Sequence, residues 1–494
     1  MWGRRRRAAR ACTSRCRSPA DRPRAARCDN HSLRILHAIH DFLPRHQAGS
    51  EIYAFELGRE LAAGHHVSVL CAEYDPSRRH GHVTWRVHRG LTVIEVVNNW
   101  VCASFEETYR PPLVGEQIAH VLRAVQPDIV HVHNLLNLSF DLPAVARAHG
   151  VPVVATLHDY GLVCPSGGQR IHRAERHVCE VIDTQRCTRC FRESPYYQQI
   201  SFGRLAAVTR APRVLGRAAL ATARRFPVLA ARLARAAGRA PLLAVTKRDM
   251  DERLAAAQRV FEEIDLFVAP SPSIAGEFRR LGINPSKIRI SDYGFVPVLR
   301  GHRHGTRGPL RIGYVGTLVW HKGVHVLLDA VRGLPSDRFE LKIFGNPGVF
   351  PEYANDLRAR ADGLPVRFMG AFEREHTADV YAQIDVLVVP SLWLENSPLV
   401  IHEAFMAGIP VVGARIGGIA DLVTEGHTGL LYDPTSAGEL TTALRGLIEN
   451  PGRLEALAER ARTVPVKSIA QDAREWEGVY ADVLGRRAGA GRAM

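Results

Sequence analysis

Short apolar runs, each long enough for one strand, alternate with amphipathic stretches of helical spacing, and the rhythm breaks once and then restarts. That pattern constrains the fold more than any other feature, because it implies parallel sheets with helices on both faces. The first series runs through Leu33–Ile39, Val67–Cys71, Leu91–Val97, Asp128–His133, Pro152–Leu157, Ile264–Ala269 and Lys287–Ile290. Helices are expected at about Ser50–Ala63, Val114–Val125, Leu142–Ala148 and Ser273–Leu281, with Ser50 as an N-cap. A basic, glycine-containing stretch at 299–309 reads as a linker. The pattern resumes with strands at Leu310–Val315, Phe339–Phe344, Pro365–Met369, Val386–Val389 and Pro410–Val412, and a helix at Gly323–Val331.

At 494 residues the chain exceeds one ordinary core. The expected division is a basic disordered tail (1–30), a first domain (31–298) with an insert at 159–260, a second domain (299–468), and a last helix and tail (469–494) that cross back to the first. The net charge of +15 sits in two places. Residues 1–30 hold ten arginines against Asp21 and Asp29, and residues 203–240 hold nine arginines and no acid. The remainder is close to neutral. With no zinc-finger, RNP or helix-turn-helix signature, nucleic-acid binding is not the expectation. No apolar run approaches the ~18 residues that span a bilayer, and the N-terminal arginines lack a secretory core. A cytoplasmic protein is therefore expected.

The second domain carries the chemistry. Ligands of open parallel sheets bind beyond the carboxyl ends of strands. Three features fall there: Gly316-Thr317 leading to Lys322-Gly323, the loop Phe344-Gly345-Asn346, and Pro390-Ser391 running into Glu395-Asn396-Ser397-Pro398. Lys322 suits a phosphate charge. Ser397 as N-cap and Pro398 as first helical residue would leave the amides of Leu399 and Val400 free for an anion. Glu395 precedes that helix and Glu403 lies inside it among Ala404, Phe405 and Met406, where an acid needs a partner.

Taken in order, these segments resemble glycosyltransferase family 4 of the GT-B fold. So do Ala404–Val412, Gly417-Gly418-Ile419, Gly49-Ser50-Glu51, Asp128–His133 and His158-Asp159. The resemblance implies two Rossmann-like domains facing across a cleft and a retaining transfer from a nucleotide diphosphate sugar, with no cofactor required. It implies donor binding by Gly316, Thr317, Lys322, Gly345, Glu395, Ser397, Pro398, Leu399, Val400 and Glu403. Lys322, Glu395 and His158 become the catalytic candidates, and Gly49, Ser50 and His158 the acceptor side. His158 reads alternatively as a ring bonded to a nearby loop. One departure stands out: the family often has arginine where this chain has Thr317, with Arg415 or His321 as substitutes to consider.

Four cysteines, Cys164, Cys179, Cys187 and Cys190, crowd one stretch of the insert and end in a Cys-x2-Cys knuckle. They read as a candidate structural zinc site or as reduced thiols. Arginines 210, 213, 217, 232, 235 and 239 at helical spacing suit either a solvated surface or an anionic membrane. The leading expectation is a transferase acting on a saccharide or lipid-linked acceptor in polysaccharide or glycoconjugate synthesis. An epimerase or hydrolase on the same scaffold, and a nucleotide-sugar-binding protein with little catalysis, are the alternatives.

Overall fold

The computed structural model describes residues 32–194, 196–197, 200–201, 225–226, 245–297 and 308–490, with side chains to residue 487. The expected tail at 1–30, the arginine-rich helices between 203 and 240, and most of the linker at 299–309 lie outside the described residues.

Two sheets carry the fold. The first uses β1 (Arg34–Ile39), β2 (His66–Glu73), β3 (Val83–His88), β4 (Leu91–Val97), β5 (Ile129–Val132), β6 (Val153–Thr156), β9 (Leu266–Ala269) and β10 (Ile288–Ile290). Their order is β10-β9-β6-β5-β1-β2-β4-β3. A separate hairpin pairs β7 (Ile171–His172) with β8 (His177–Val178). The second sheet joins β11 (Leu310–Val315), β12 (Phe339–Phe344), β13 (Val366–Gly370), β14 (Val386–Val389), β15 (Val411–Ala414) and β16 (Gly429–Tyr432), in the order β13-β12-β11-β14-β15-β16. Central strands such as β5 and β14 are buried along their whole length, as continuous apolar runs between two helical layers must be.

The helices that position the site are α1 (Gly49–Leu61), α2 (Pro112–Val125), α3 (Leu142–Ala148), α4 (Thr184–Arg192), α5 (Lys247–Glu263) and α6 (Pro272–Arg280) in the first half. The second half adds α7 (Val324–Val331), α8 (Pro351–Arg360), α9 (Thr377–Ala382), α10 (Leu399–Ala407), α11 (Gly417–Leu422), α12 (Ala437–Glu449) and α13 (Pro451–Ala461). The closing helix α14 (Ile469–Ala490) returns to the first domain, as expected. There Ile469, Trp476, Val479 and Tyr480 join one face of the first sheet's core. Tyr53 of α1 donates to Asp472 at 2.8 Å and accepts from the Trp476 indole at 3.0 Å.

One strand is unannounced and one local expectation is corrected. β3 is an antiparallel edge strand that the sequence does not announce, because Val83-Thr84-Trp85-Arg86-Val87-His88 is half polar and presents Trp85 and Val87 outward. Ser50 does not cap α1. The helix opens at Gly49, Ala48 holds the cap position, and the Ser50 hydroxyl donates instead to Glu51 at 3.0 Å.

Candidate active site

The loop after β11 sets the lysine. Gly316 and Thr317 leave the strand, one 3-10 turn spans Trp320–Lys322, and Gly323 turns the chain at φ +71°. A Cβ at Gly323 would lie 1.7 Å from the Pro390 carbonyl oxygen, so only glycine lets this turn pack on the end of β14. Gly345 packs against the Gly316 carbonyl, with a Cβ placed there 2.3 Å from its oxygen. Lys322 therefore meets the second motif directly. Its Nζ stands 2.6 Å from Glu395 Oε1 and 5.2 Å over the Trp393 ring. Ser391 donates to the same carboxylate oxygen at 2.6 Å.

The Glu395 loop is braced from behind. The Gly418 amide donates to the Glu395 carbonyl at 2.7 Å, and a Cβ on Gly418 would fall 1.5 Å from the Asn396 carbonyl oxygen. Glu395 is 4% exposed, while the Lys322 side chain keeps 28%. The acid is fixed and its cation faces outward.

Glu403 lies one turn into α10 and is 5% exposed. Arg374 donates to one of its oxygens at 3.1 Å and the Tyr381 hydroxyl to the other at 3.0 Å. Burial pushes its carboxyl pKa up, with Arg374 and Tyr381 opposing. Arg374 also reaches Glu56 of α1 at 3.8 Å, so Glu403 faces the first domain. At the mouth of α10, Gly49 lies beside Leu399, with a Cβ placed there 3.4 Å from Leu399 Cδ1. The two candidate loops thus meet across the cleft.

The capping expectation at α10 fails. The helix begins at Leu399 with Pro398 at the cap position and no side-chain cap. Ser397 instead donates to Asp292 at 2.6 Å and touches His402 Nε2 at 2.8 Å. Asp292 belongs to the segment leaving β10, where Phe295 stacks on His402 at 4.5 Å and the Gly294 amide donates to Asp472 at 2.9 Å. Ser397 is a clasp between the domains. Leu399 and Val400 still occupy the first turn, where amides lack intrahelical acceptors.

Sequence reasoning misses Arg374, Tyr381 and Asp292. Arg374 carries one signal, its place just past the carboxyl end of β13. Asp292 carries the same signal, two residues past the end of β10, and Tyr381 carries none, because the fold brings it to α10 from distant sequence.

On the other side of the cleft His158 is a link, not an open group. Its Nε2 meets His133 Nδ1 at 3.0 Å and its Nδ1 meets the Tyr293 hydroxyl at 2.8 Å. Burial lowers its pKa to about 3, so the ring is neutral and both nitrogens are engaged. His133 continues to His37 at 3.2 Å, and His131 bridges Thr156 and Tyr480, each at 2.8 Å. Nearby, the partly exposed His40 and Asp41 flank the buried Glu51, with His40 3.3 Å from Glu51. Burial opposes protonation of His40, but Glu51, Asp41 and Asp159 outweigh it and raise the pKa. Asp159 is held by Asn134 at 2.8 Å and by the Gly161 amide at 2.7 Å.

Both substitutes considered for the arginine have other partners or surroundings. Arg415 turns to Glu425 and the Leu431 carbonyl, at 3.3 and 3.2 Å. His321 is buried beside Lys322 and Arg173, which holds its pKa at about 3 and leaves it uncharged. The four cysteines are free thiols around one cavity, where burial lifts Cys179 to about 11 and Cys187 to about 12. Among the described residues no helix is long and apolar enough to cross a membrane.

Residues 303–464 match the glycosyl transferases group 1 family and residues 48–200 match Glycosyltransferase Family 4. The chain is 34% identical over 214 residues to the sulfoquinovosyl transferase of Arabidopsis thaliana (40% of each chain). It is 31% identical over 226 residues to the D-inositol 3-phosphate glycosyltransferase of Rhodococcus jostii (41% of this chain, 49% of that one). The chain thus spans half or less of these curated relatives. Its fold is similar to that of Anabaena HepE, solved with UDP and glucose, at a TM-score of 0.58 and 16% identity over 91% of this chain and 99% of that one. Sucrose-phosphate synthase from Thermosynechococcus elongatus gives 0.58 at 18% identity over 93% and 99%. With a glycosyltransferase family model matched in each half and two Rossmann-like sheets in the fold of these neighbours, the chain belongs to the group 1, family 4 glycosyltransferases of the GT-B fold.

Proposed function

We propose that this chain is a retaining glycosyltransferase that moves a sugar from a nucleotide diphosphate donor to a saccharide or lipid-linked acceptor, in polysaccharide or glycoconjugate synthesis at the cytoplasmic face of a membrane. The observation that carries this reading is the Lys322–Glu395 contact of 2.6 Å in a braced loop, with Glu403 of the following helix turned to the same interdomain side. HepE was solved with UDP and glucose, which makes uracil the first base to test.

In the proposed reaction the bond from the sugar's anomeric carbon to the diphosphate oxygen breaks. The acceptor oxygen bonds to that carbon on the same face, and an oxygen of the departing diphosphate takes the acceptor's proton. Lys322 and the first-turn amides of α10 stabilise the developing negative charge. Glu395 orients the sugar hydroxyls and Glu403 the ribose. His158, with both nitrogens engaged, acts by holding the acceptor side in place rather than by exchanging a proton.

The test is transfer from labelled nucleotide sugars to an acceptor panel, with the anomeric configuration of the product read by NMR. Retention is expected, and an inverted linkage contradicts the mechanism. A second reading, donor binding with little turnover, is favoured by Thr317 and by the engagement of Arg415 and the neutrality of His321. Binding without transfer to any acceptor supports it. Release of free or epimerised sugar without an acceptor supports a hydrolase or epimerase.

A further inference from the structure

We propose that Cys164, Cys179, Cys187 and Cys190 form a four-thiolate structural zinc site that staples the β7–β8 hairpin to α4 and to the turn after β6. This zinc site does not depend on the proposed sugar transfer, although Val326, Leu392 and Ile416 of the second domain line the same cavity.

The geometry gathers four thiols from three pieces of backbone. Ile171 pairs with Val178, and Cys179 follows at the hairpin exit with its amide donating to the Arg170 carbonyl at 2.7 Å. Cys190 Sγ lies 3.9 Å from the Ile171 carbonyl oxygen, so α4 rests on that hairpin. Cys187 and Cys190 are three residues apart on α4 and share a face. Cys164 comes from the turn after β6, its amide bonded to the Tyr160 carbonyl at 2.7 Å. All four line one cavity of about 880 Å³.

Regular structure in this module is sparse, and Arg170, paired with Glu277, and Thr184, 2.7 Å from Asp251, help to tie it down. Its strands are two residues each, and of the nine residues of α4 only Thr188, Cys190 and Phe191 are buried.

A separate observation points to an anion at the same place. Arg253 of α5 is 4% exposed and, among the described residues, pairs with no carboxylate. Its guanidinium donates to the carbonyls of Leu162 and Gly161, at 2.9 and 2.7 Å, in the turn that leads to Cys164. The rings of Phe140 and Tyr109 lie 5.0 and 5.7 Å away. A buried cation without a counter-charge is costly. Zinc bound by four thiolates carries a net charge of −2 and would supply one. The sulfurs ring the cavity without converging on a single point. Among the described residues, the groups with three donor atoms within 4.8 Å are His37, His131 and His133, and His40, Asp41 and Glu51. The histidine trio already spends most of its nitrogens on hydrogen bonds. Metal binding would release four thiol protons and close the sulfurs to about 2.3 Å from zinc.

The test uses the full chain purified under reducing conditions without chelator. One zinc per chain by elemental analysis is expected, released in step with blocking of four thiols by a mercurial. Cobalt exchange should give the sulfur-to-metal charge-transfer bands of a tetrahedral thiolate site. C187S and C164S should each lose zinc. If these variants fail to fold, the wild-type measurements decide alone. Folded wild-type protein without stoichiometric metal overturns the proposal, as do disulfides among these cysteines, an iron–sulfur chromophore, or zinc that survives in both variants.

Discussion

Two buried polar clusters, one in each domain, are built in opposite ways, although the first domain also pairs Glu95 with Arg45 and Arg86, and Arg170 with Glu277. In the second domain the groups are charged and paired: Lys322 with Glu395, Arg374 with Glu403, and Arg311 with Asp385 at 2.6 Å. In the first domain, beneath the acceptor side, the array of His37, His131, His133 and His158 is neutral, bonded to Tyr293, Tyr480 and Thr156. A charged pair can be reopened by an arriving charge, so a diphosphate can take over part of the coordination of Lys322. A neutral array presents nothing to exchange and fixes geometry instead. The donor side is built to change partners and the acceptor side to stay still.

Acid should produce the biggest change, because it acts on the whole neutral array. Burial holds His37 at about 4, His158 at about 3, and His131 and His133 well below the ordinary histidine value. A depressed folded pKa means the unfolded chain binds more protons, so the stability these rings contribute is fully present above about pH 6.5 and is lost as pH falls towards about 4. Each ring that stays neutral costs about 1.4 kcal/mol per pH unit across that window. The raised carboxyls of Glu73, Asp159, Glu403 and Asp472 act in the opposite sense. Urea unfolding between pH 7.5 and 5 should show the net loss, and imidazole NMR at pH 5.5 should find the four rings uncharged. A charged signal from any of them breaks the contrast.

Next in size is Lys322→Ala, which removes the cation that the charged half offers. Turnover should fall by about a hundredfold or more, the usual cost of losing a stabilising group at a developing oxyanion. Near-normal transfer by a folded variant would remove Lys322 from the mechanism. A subtler change, Tyr381→Phe, sharpens the contrast. It deletes one hydrogen bond to Glu403 and one to the Val400 carbonyl while leaving Arg374 in place. Hydrogen bonds of this kind are worth about 1 kcal/mol net, so the donor KM should rise severalfold with kcat little changed. An equal loss in kcat would give Glu403 a role in the chemical step rather than in ribose binding.

The same contrast explains what can be read from sequence. Lys322 and Glu395 are legible because Gly323 and the Glu-x7-Glu spacing are local, and local spacing survives folding. Their direct contact follows from the neighbouring order of β11 and β14 in the sheet. Arg374 and Tyr381 reach Glu403 from 29 and 22 residues away, which no periodicity reports. Ser397 reads as a cap because its sequence position suits one, yet Asp292, 105 residues earlier, offers its hydroxyl a stronger partner. His158 does stand at the carboxyl end of β6, where its sequence position puts it. Its engagement on both nitrogens depends on His133 and Tyr293, which arrive from the segments after β5 and β10.

The grip of the second domain on an activated sugar, through Lys322, Glu395 and Glu403, is open to a direct measurement. Thermal shift of the full chain is read against a panel of nucleoside diphosphate sugars and repeated with Lys322→Ala and Glu403→Ala. At least one nucleotide sugar should raise the wild-type melting temperature, and the rise should shrink in both variants. No rise with any of them, or an equal rise in both variants, would contradict that grip.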